Sequence, residues 1–292
     1  MTSPTATAST VDPVHRQTDE PYPAKGLMHD VWVIARRGLL HMRRQPEQLS
    51  DATIQPIMFV VMFAYVFGGA IAIPGSGGSP QAYREFLMGG IMAQTLVFTA
   101  FGVALGIAND RKNQAVDRFR SLPIASGALL GGHAVANLIK ALLPIALMSI
   151  TGYVIGWRIR GTLFETLGAY LLMVGFAFAM IWVGVLLGSL VATPEGVNGI
   201  AFAALFPLTF VASTFVPLES MPGPLQTIAS WNPVTTLADA LRIQFGNPNT
   251  PIQPGDPWSV AHPIAYTWIW IAVIVVVCAP LAVRAYKRSV ES

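Results

Sequence analysis

Six runs of apolar residues, each about 20 residues or longer, alternate with short polar segments along this chain, at about 54–73, 86–108, 134–157, 163–191, 197–216 and 264–283. An α-helix needs about 20 such residues to cross a hydrocarbon core of roughly 30 Å. The pattern therefore predicts an all-α polytopic membrane protein with six transmembrane helices. The first run carries no charge and ends at the turn-forming PGSGGSP of 74–80. The fourth is long enough to tilt, and a short link containing Gly and Pro, 192–196, turns it into the fifth. Between the fifth and sixth runs lies a polar, proline-rich stretch, 218–262, with a short helical pattern inside it.

Two polar segments have a pattern of their own. In 30–48, Trp32, Ala35, Leu39 and Met42 recur at helical spacing, with Arg37, His41 and Arg44 opposite and Arg36 and Arg43 flanking. A basic amphipathic helix of this kind suits a membrane surface, its arginines reaching lipid phosphates; a solvated charged lead-in to the first run has the same composition. In 109–130, Val116, Phe119 and Leu122 form an apolar edge among Asp117, Arg118 and Arg120, and the helix should stop before Pro123. A rigid charged helix with an exposed Phe fits a groove on a soluble partner, although an ordinary solvated loop satisfies the same residues. Residues 1–28 are rich in Ser, Thr and Pro, with no apolar core, and read as a disordered tail before a membrane domain of 29–292.

Composition agrees with a lipid environment: 53% of the 292 residues are hydrophobic and 11% charged, against about 25% charged in a soluble domain. The basic balance, 18 Lys+Arg to 15 Asp+Glu, matters through its placement. With a cytoplasmic N-terminus, thirteen of the 18 lie on that side, Arg111, Lys112, Arg118 and Arg120 among them. The other side keeps only Arg84, Arg158, Arg160 and Arg242. The positive-inside rule then puts both termini and the 109–130 loop in the cytoplasm. Lys140, inside the third run near its cytoplasmic end, is expected to snorkel. Cys278, the sole cysteine, excludes an intrachain disulfide.

Chemistry of its own is not expected. The five histidines are scattered, and none stands with a carboxylate or cysteine at ligand or triad spacing. No Walker A pattern occurs, so no nucleotide site is expected here. No Asp, Glu or His falls at mid-membrane depth, which argues against a self-powered secondary transporter. What remains is a pathway driven by something else.

Three ordered segments, QPIMFVVMFAYVFGGAI (55–71), DRFRSLPIA (117–125) and MPGPLQTIASWNPVTTLADALR (221–242), resemble the ABC-2 type permeases, and among them the daunorubicin-resistance subfamily of drug and lipid exporters. The resemblance implies the type V exporter permease fold, with an N-terminal interfacial helix and short re-entrant outer helices before the last span. It also implies two copies of a separate ATPase that binds ATP and Mg2+, and a second permease chain, identical or a sister subunit. The cargo would be hydrophobic or amphiphilic, a drug, polyketide or lipid, crossing a bacterial inner membrane. No cofactor is expected in this chain and no nucleic-acid partner. By resemblance the 109–130 loop is the coupling helix, carried by Asp110, Arg111, Asp117, Arg118, Phe119 and Arg120. Related permeases often have Gly where this chain has Gln114. The first and fifth spans would face each other across the dimer, small residues Gly199, Ala203 and Ser213 allowing close approach, and Phe59, Met62, Phe63, Phe206 and Phe210 lining the pathway. Trp32, Arg36, Arg37, Arg43 and Arg44 would form the surface helix. Pro144 and Pro207 are candidate kinks. Two other readings stay open: a regulatory membrane subunit that recruits an ATPase and moves nothing, and an ion-coupled transporter.

Overall fold

The computed structural model describes residues 46–68, 71, 73, 74, 76–112, 126–191 and 193–291. The expected tail, the surface helix with Trp32, Arg36, Arg37, Arg43 and Arg44, and the loop residues Asp117, Arg118, Phe119 and Arg120 lie outside them. Asp110 and Arg111 continue a helix.

Nine α-helices follow one another among the described residues, without strands. They are α1 (Pro46–Met62, continued by a π-helical turn, Phe63–Phe67), α2 (Pro80–Lys112), α3 (Ser126–Ile155), α4 (Leu163–Leu190) and α5 (Pro194–Phe210), then, past a 3-10 turn at Leu218–Ser220, α6 (Gly223–Ser230), α7 (Pro233–Phe245), α8 (Trp258–Ala261) and α9 (Pro263–Glu291). Four stretches have the length and hydropathy to cross a membrane: Pro80–Asn109, Ala134–Ile155, Leu163–Leu190 and Pro263–Ala285. Ile54–Phe67 is apolar but shorter. Large apolar side chains face outward on these helices, Val154, Phe164 and Val276 being 81%, 86% and 72% exposed. Such surface is a liability in water and ordinary against lipid.

The order of packing follows from small residues. α4 lies at the centre, against α2, α3, α7 and α9. Gly184 and Gly188, one turn apart, let it approach α2 so closely that an added Cβ would stand 2.4 Å from the Ala100 carbonyl oxygen and 2.7 Å from that of Ala104. This is the small-xxx-small contact by which membrane helices pack, since lipid supplies no hydrophobic force between them. α4 begins at a capping box: the Thr162 hydroxyl accepts from the Glu165 amide at 3.3 Å and Glu165 accepts from the Thr162 amide at 2.7 Å.

The C-terminal end of α2 and the start of α5, joined through Lys112 and Glu195, share one end of the bundle, here the loop end; α6 to α8 sit at the far end. There α7, 13 residues long, is buried through most of its length against α2, α4 and α9. Asn232 caps it, accepting from the Val234 amide at 2.8 Å, and Gly246 ends it in the left-handed region (φ 67°). α5 stops at Phe210, short of the expected 216. Pro207 withholds one helical N–H, and Ser213 and Thr214 take other partners: the Ser213 amide donates to Thr235 Oγ1 at 3.0 Å and the Thr214 hydroxyl to the Thr209 carbonyl at 3.2 Å. The Asn232 amide donates to the carbonyls of Leu208 and Val211, at 2.7 and 2.6 Å. Ser213, expected among the small residues by which the fifth span approaches the first across the dimer, is therefore a buried residue beyond the end of that helix.

Candidate functional site

One face of α2 carries Gln94, Phe98, Phe101, Gly102, Leu105, Gly106 and Asn109, a stripe along the helix. Across from it stand Asn137, Lys140, Ala141 and Pro144 of α3, Gln55 and Phe59 of α1, and Ala201, Phe202 and Phe206 of α5. These four helices enclose a cleft of about 390 Å3 in the half of the bundle nearer the loop end, within the size range of small-molecule sites. Two glycines hold it open, because nothing lies within 4 Å of a Cβ added at Gly102 or Gly106. The glycines of α4 close a contact; these leave a space.

The wall is mixed. Phenylalanines give it apolar area, and amides from Gln55, Gln94, Asn109 and Asn137 give donors and acceptors. Polar side chains within membrane helices are costly and mark pathways when they face a cavity. Beyond Asn109, toward the loop end, the Lys112 ammonium meets the Glu195 carboxylate at 3.2 Å on the surface. A hydrogen bond from its own amide at the start of α5, and then Lys112, hold the Glu195 carboxyl below the usual carboxylate range.

From the cleft a chain of phenylalanines runs toward the far end. Phe98 meets Phe206 edge-on at 5.8 Å, and Phe202, Phe206 and Phe210, one turn apart on α5, stack at 5.1 and 5.5 Å. Phe210 touches Phe215 at 5.6 Å, Phe215 stacks on Phe63 of α1 at 4.2 Å, and Phe63 on Phe67 at 5.1 Å. Phe59 lies 6.3 Å from Phe215. Four of the five residues expected on the pathway, Phe59, Phe63, Phe206 and Phe210, thus join one cluster. Met62 does not; it is 43% exposed on the outer side of α1. Gly199 and Ala203 are exposed on α5.

Sequence reasoning missed Phe98, Phe202 and Phe215, the amides, and the cleft position of Lys140. A signal was present for most of them. Phe202, Phe206 and Phe210 recur at i, i+4 and i+8, as Phe59, Phe63 and Phe67 do, and Gln94, Gly102, Gly106 and Asn109 share a helical face. Phe215 gave none, because it lies past the end of α5.

Among the described residues no group of His, Cys, Asp and Glu is arranged to hold a metal ion.

Known proteins are similar along most of the chain. The family model described as ABC-2 type transporter matches residues 29–245. The daunorubicin resistance ABC transporter permease protein DrrB1 of Streptomyces coeruleorubidus is 30% identical over 253 residues, 86% of this chain and 84% of the relative. The probable doxorubicin resistance ABC transporter permease protein DrrC of Mycobacterium tuberculosis is 28% identical over 82% of this chain and 81% of its own length. The putative transport permease ycf38 of Cyanophora paradoxa is 24% identical over 75% of each chain. With the family model covering the helices that form the cleft, and an ABC permease 30% identical over 86% of this chain, the protein belongs to the ABC-2 type transporter family.

Proposed function

We propose that this chain is the membrane permease of an ATP-driven exporter, and that its cleft receives a hydrophobic or amphiphilic compound which a separate ATPase drives outward. The observation that carries the reading is the cleft of amides and phenylalanines, continuous with the aromatic chain toward the far end. Stacked phenylalanines offer a flat apolar body a succession of similar contacts, so that no single position holds it too tightly. The relatives whose names refer to daunorubicin and doxorubicin resistance support a cargo of that general character.

In this reading six spans cross a bacterial inner membrane. α1 and α5 complete the set as the shorter pair, both termini are cytoplasmic, and α7 is a re-entrant helix covering the outward end. A second permease chain and two ATPase copies complete the complex. Asp110, Arg111, Asp117, Arg118, Phe119 and Arg120 dock on the ATPase, which holds ATP and Mg2+, and the basic 30–48 segment lies on the inner leaflet. The loop end, where Asn109 lines the cleft three residues before Lys112, puts cargo entry beside the coupling segment.

The test is ATP hydrolysis by the permease and its ATPase in lipid nanodiscs, across a panel of amphiphilic drugs and lipids. Some compounds should stimulate hydrolysis in the wild type, and Gly106→Leu, which fills the cleft, should lose that response while the ATPase stays bound. Phe119→Ala should lose it through coupling instead, with compound binding intact. Stable association without a response to any compound would mark a subunit that recruits the ATPase and transports nothing.

A further inference from the structure

The inner end of the cleft is formed at Gln94. This residue stands at the middle of Pro80–Asn109, roughly 22 Å along the helix from Asn109 at 1.5 Å per residue. One turn further, Gly90 packs against the backbone of Thr214 with no room for a Cβ, so that the face is closed there. One turn back toward the loop end, Phe98 meets Phe206. Gln94 therefore lies where the cleft stops and the chain of phenylalanines departs.

Its surroundings leave its amide unsatisfied. Gln94 is 3% exposed and lines the cleft, and no hydrogen bond joins its side chain to another described residue. The other amides and the charge of that lining differ from it. Asn137 and Lys140 already have partners, and Gln55 and Asn109 are exposed. A buried amide without a partner is destabilising, and an apolar side chain of the same length would avoid the loss. A polar group at mid-membrane depth that faces a cavity marks a pathway.

We infer that Gln94 selects the cargo by hydrogen bonding to an uncharged group that presents an acceptor and a donor side by side, as a carboxamide does, while Phe98 and Phe206 hold the adjoining apolar body. The inference rests on the cleft being the cargo site and narrows what it takes. The Gln side chain offers both an NH2 donor and a carbonyl acceptor, so it can meet such a group with two bonds at once. In a region of low dielectric these bonds are stronger than in water. An ionised group gains less at this position, because one neutral amide does not offset the loss of its hydration.

The test measures fluorescence titrations of two dansylamino-alkyl probes of equal shape, one ending in a carboxamide and the other in an isopropyl group, against the permease with its ATPase in phosphatidylcholine nanodiscs, with empty nanodiscs subtracted. Gln94→Met keeps the length of the side chain and removes its hydrogen bonding. It should weaken the carboxamide probe about tenfold, the loss expected for one to two hydrogen bonds. The isopropyl probe should bind the variant at least as tightly as the wild type, which also reports that the cleft folds. Partitioning of each probe into lipid is common to both proteins and cancels in the comparison. Equal effects on the two probes, or no effect on either, overturn the inference. Gly106→Leu separates the two levels. If it abolishes saturable binding of both probes while Gln94→Met treats them alike, the inference about Gln94 falls and the cleft stands as the cargo site. If Gly106→Leu changes neither titration, both fall together.

Discussion

A glycine in a membrane helix serves either a contact or a space, and this chain uses both on neighbouring helices. At Gly184 an added Cβ would meet the Ala100 carbonyl oxygen at 2.4 Å and Val103 at 2.8 Å; at Gly102 it would meet nothing within 4 Å. Overpacking a tight contact costs about 1 to 3 kcal/mol, whereas Ala is favoured over Gly by roughly 1 kcal/mol in a helix interior. Gly184→Ala should therefore lower the thermal midpoint of the purified permease clearly, and Gly102→Ala should leave it unchanged or raise it. Equal midpoints for the two variants would mean that α2 and α4 are not in close contact. The sequence shows glycines one turn apart on α4 as plainly as it shows Gly199 and Ala203 on α5. It does not say which face another helix covers, since that is a property of pairs. For the same reason Lys140 was expected to reach toward the headgroups, although the fold turns its face of α3 into the cleft.

At the scale of the element, α7 shows how a short helix can be held among longer ones. Its start and stop were legible: Asn232 before Pro233, and Gly246 after Phe245, are the residues that cap and end helices. Its burial was not, because Arg242 counts in sequence as an outer charge. In the structure Arg242 is fully buried, 3.4 Å from the Phe86 ring centroid. Nε donates to the Phe86 carbonyl at 2.8 Å, one terminal nitrogen to Asp239 at 2.7 Å, and the other to the Ser213 carbonyl at 2.6 Å. One side chain thus ties α7 to α2 and to the link after α5. Removing it leaves the Asp239 carboxylate buried without its partner, a loss of about 3 to 5 kcal/mol for pairs of this kind. Arg242→Ala should shift the denaturation midpoint accordingly. Arg242→Lys should recover little, since an ammonium cannot span three acceptors that a planar fork reaches at once. A lysine variant as stable as the wild type would show that charge alone, and not the fork, holds α7.

For the whole molecule, hydropathy gave the long helices because lipid exposure is a property of each helix alone, whereas the cleft arises only where four helices leave a gap. Orientation belongs to neither and follows from where Lys and Arg stand along the chain. Of the four basic residues at the far end, Arg160 pairs with Glu85 and Arg242 with Asp239, while Arg84 and Arg158 lie over the rings of Tyr65 and Tyr153 at 5.0 and 4.4 Å. Pairing with acids does not weaken the count, because the positive-inside rule reads the placement of Lys and Arg and not net charge, and thirteen of the 18 lie on the loop side. The loop end should therefore face the cytoplasm. Cys278 is the only cysteine, so Cys278→Ser supplies a blank background for single cysteines. Ser79→Cys and Ile252→Cys, exposed at the far end, should react with a membrane-impermeant maleimide in intact cells. Glu195→Cys should react only after permeabilisation, and its loss of an exposed pair with Lys112 is worth at most about 1 kcal/mol. The reverse pattern would place the coupling segment outside the cell, beyond the reach of any ATPase, and the exporter reading would fall with it.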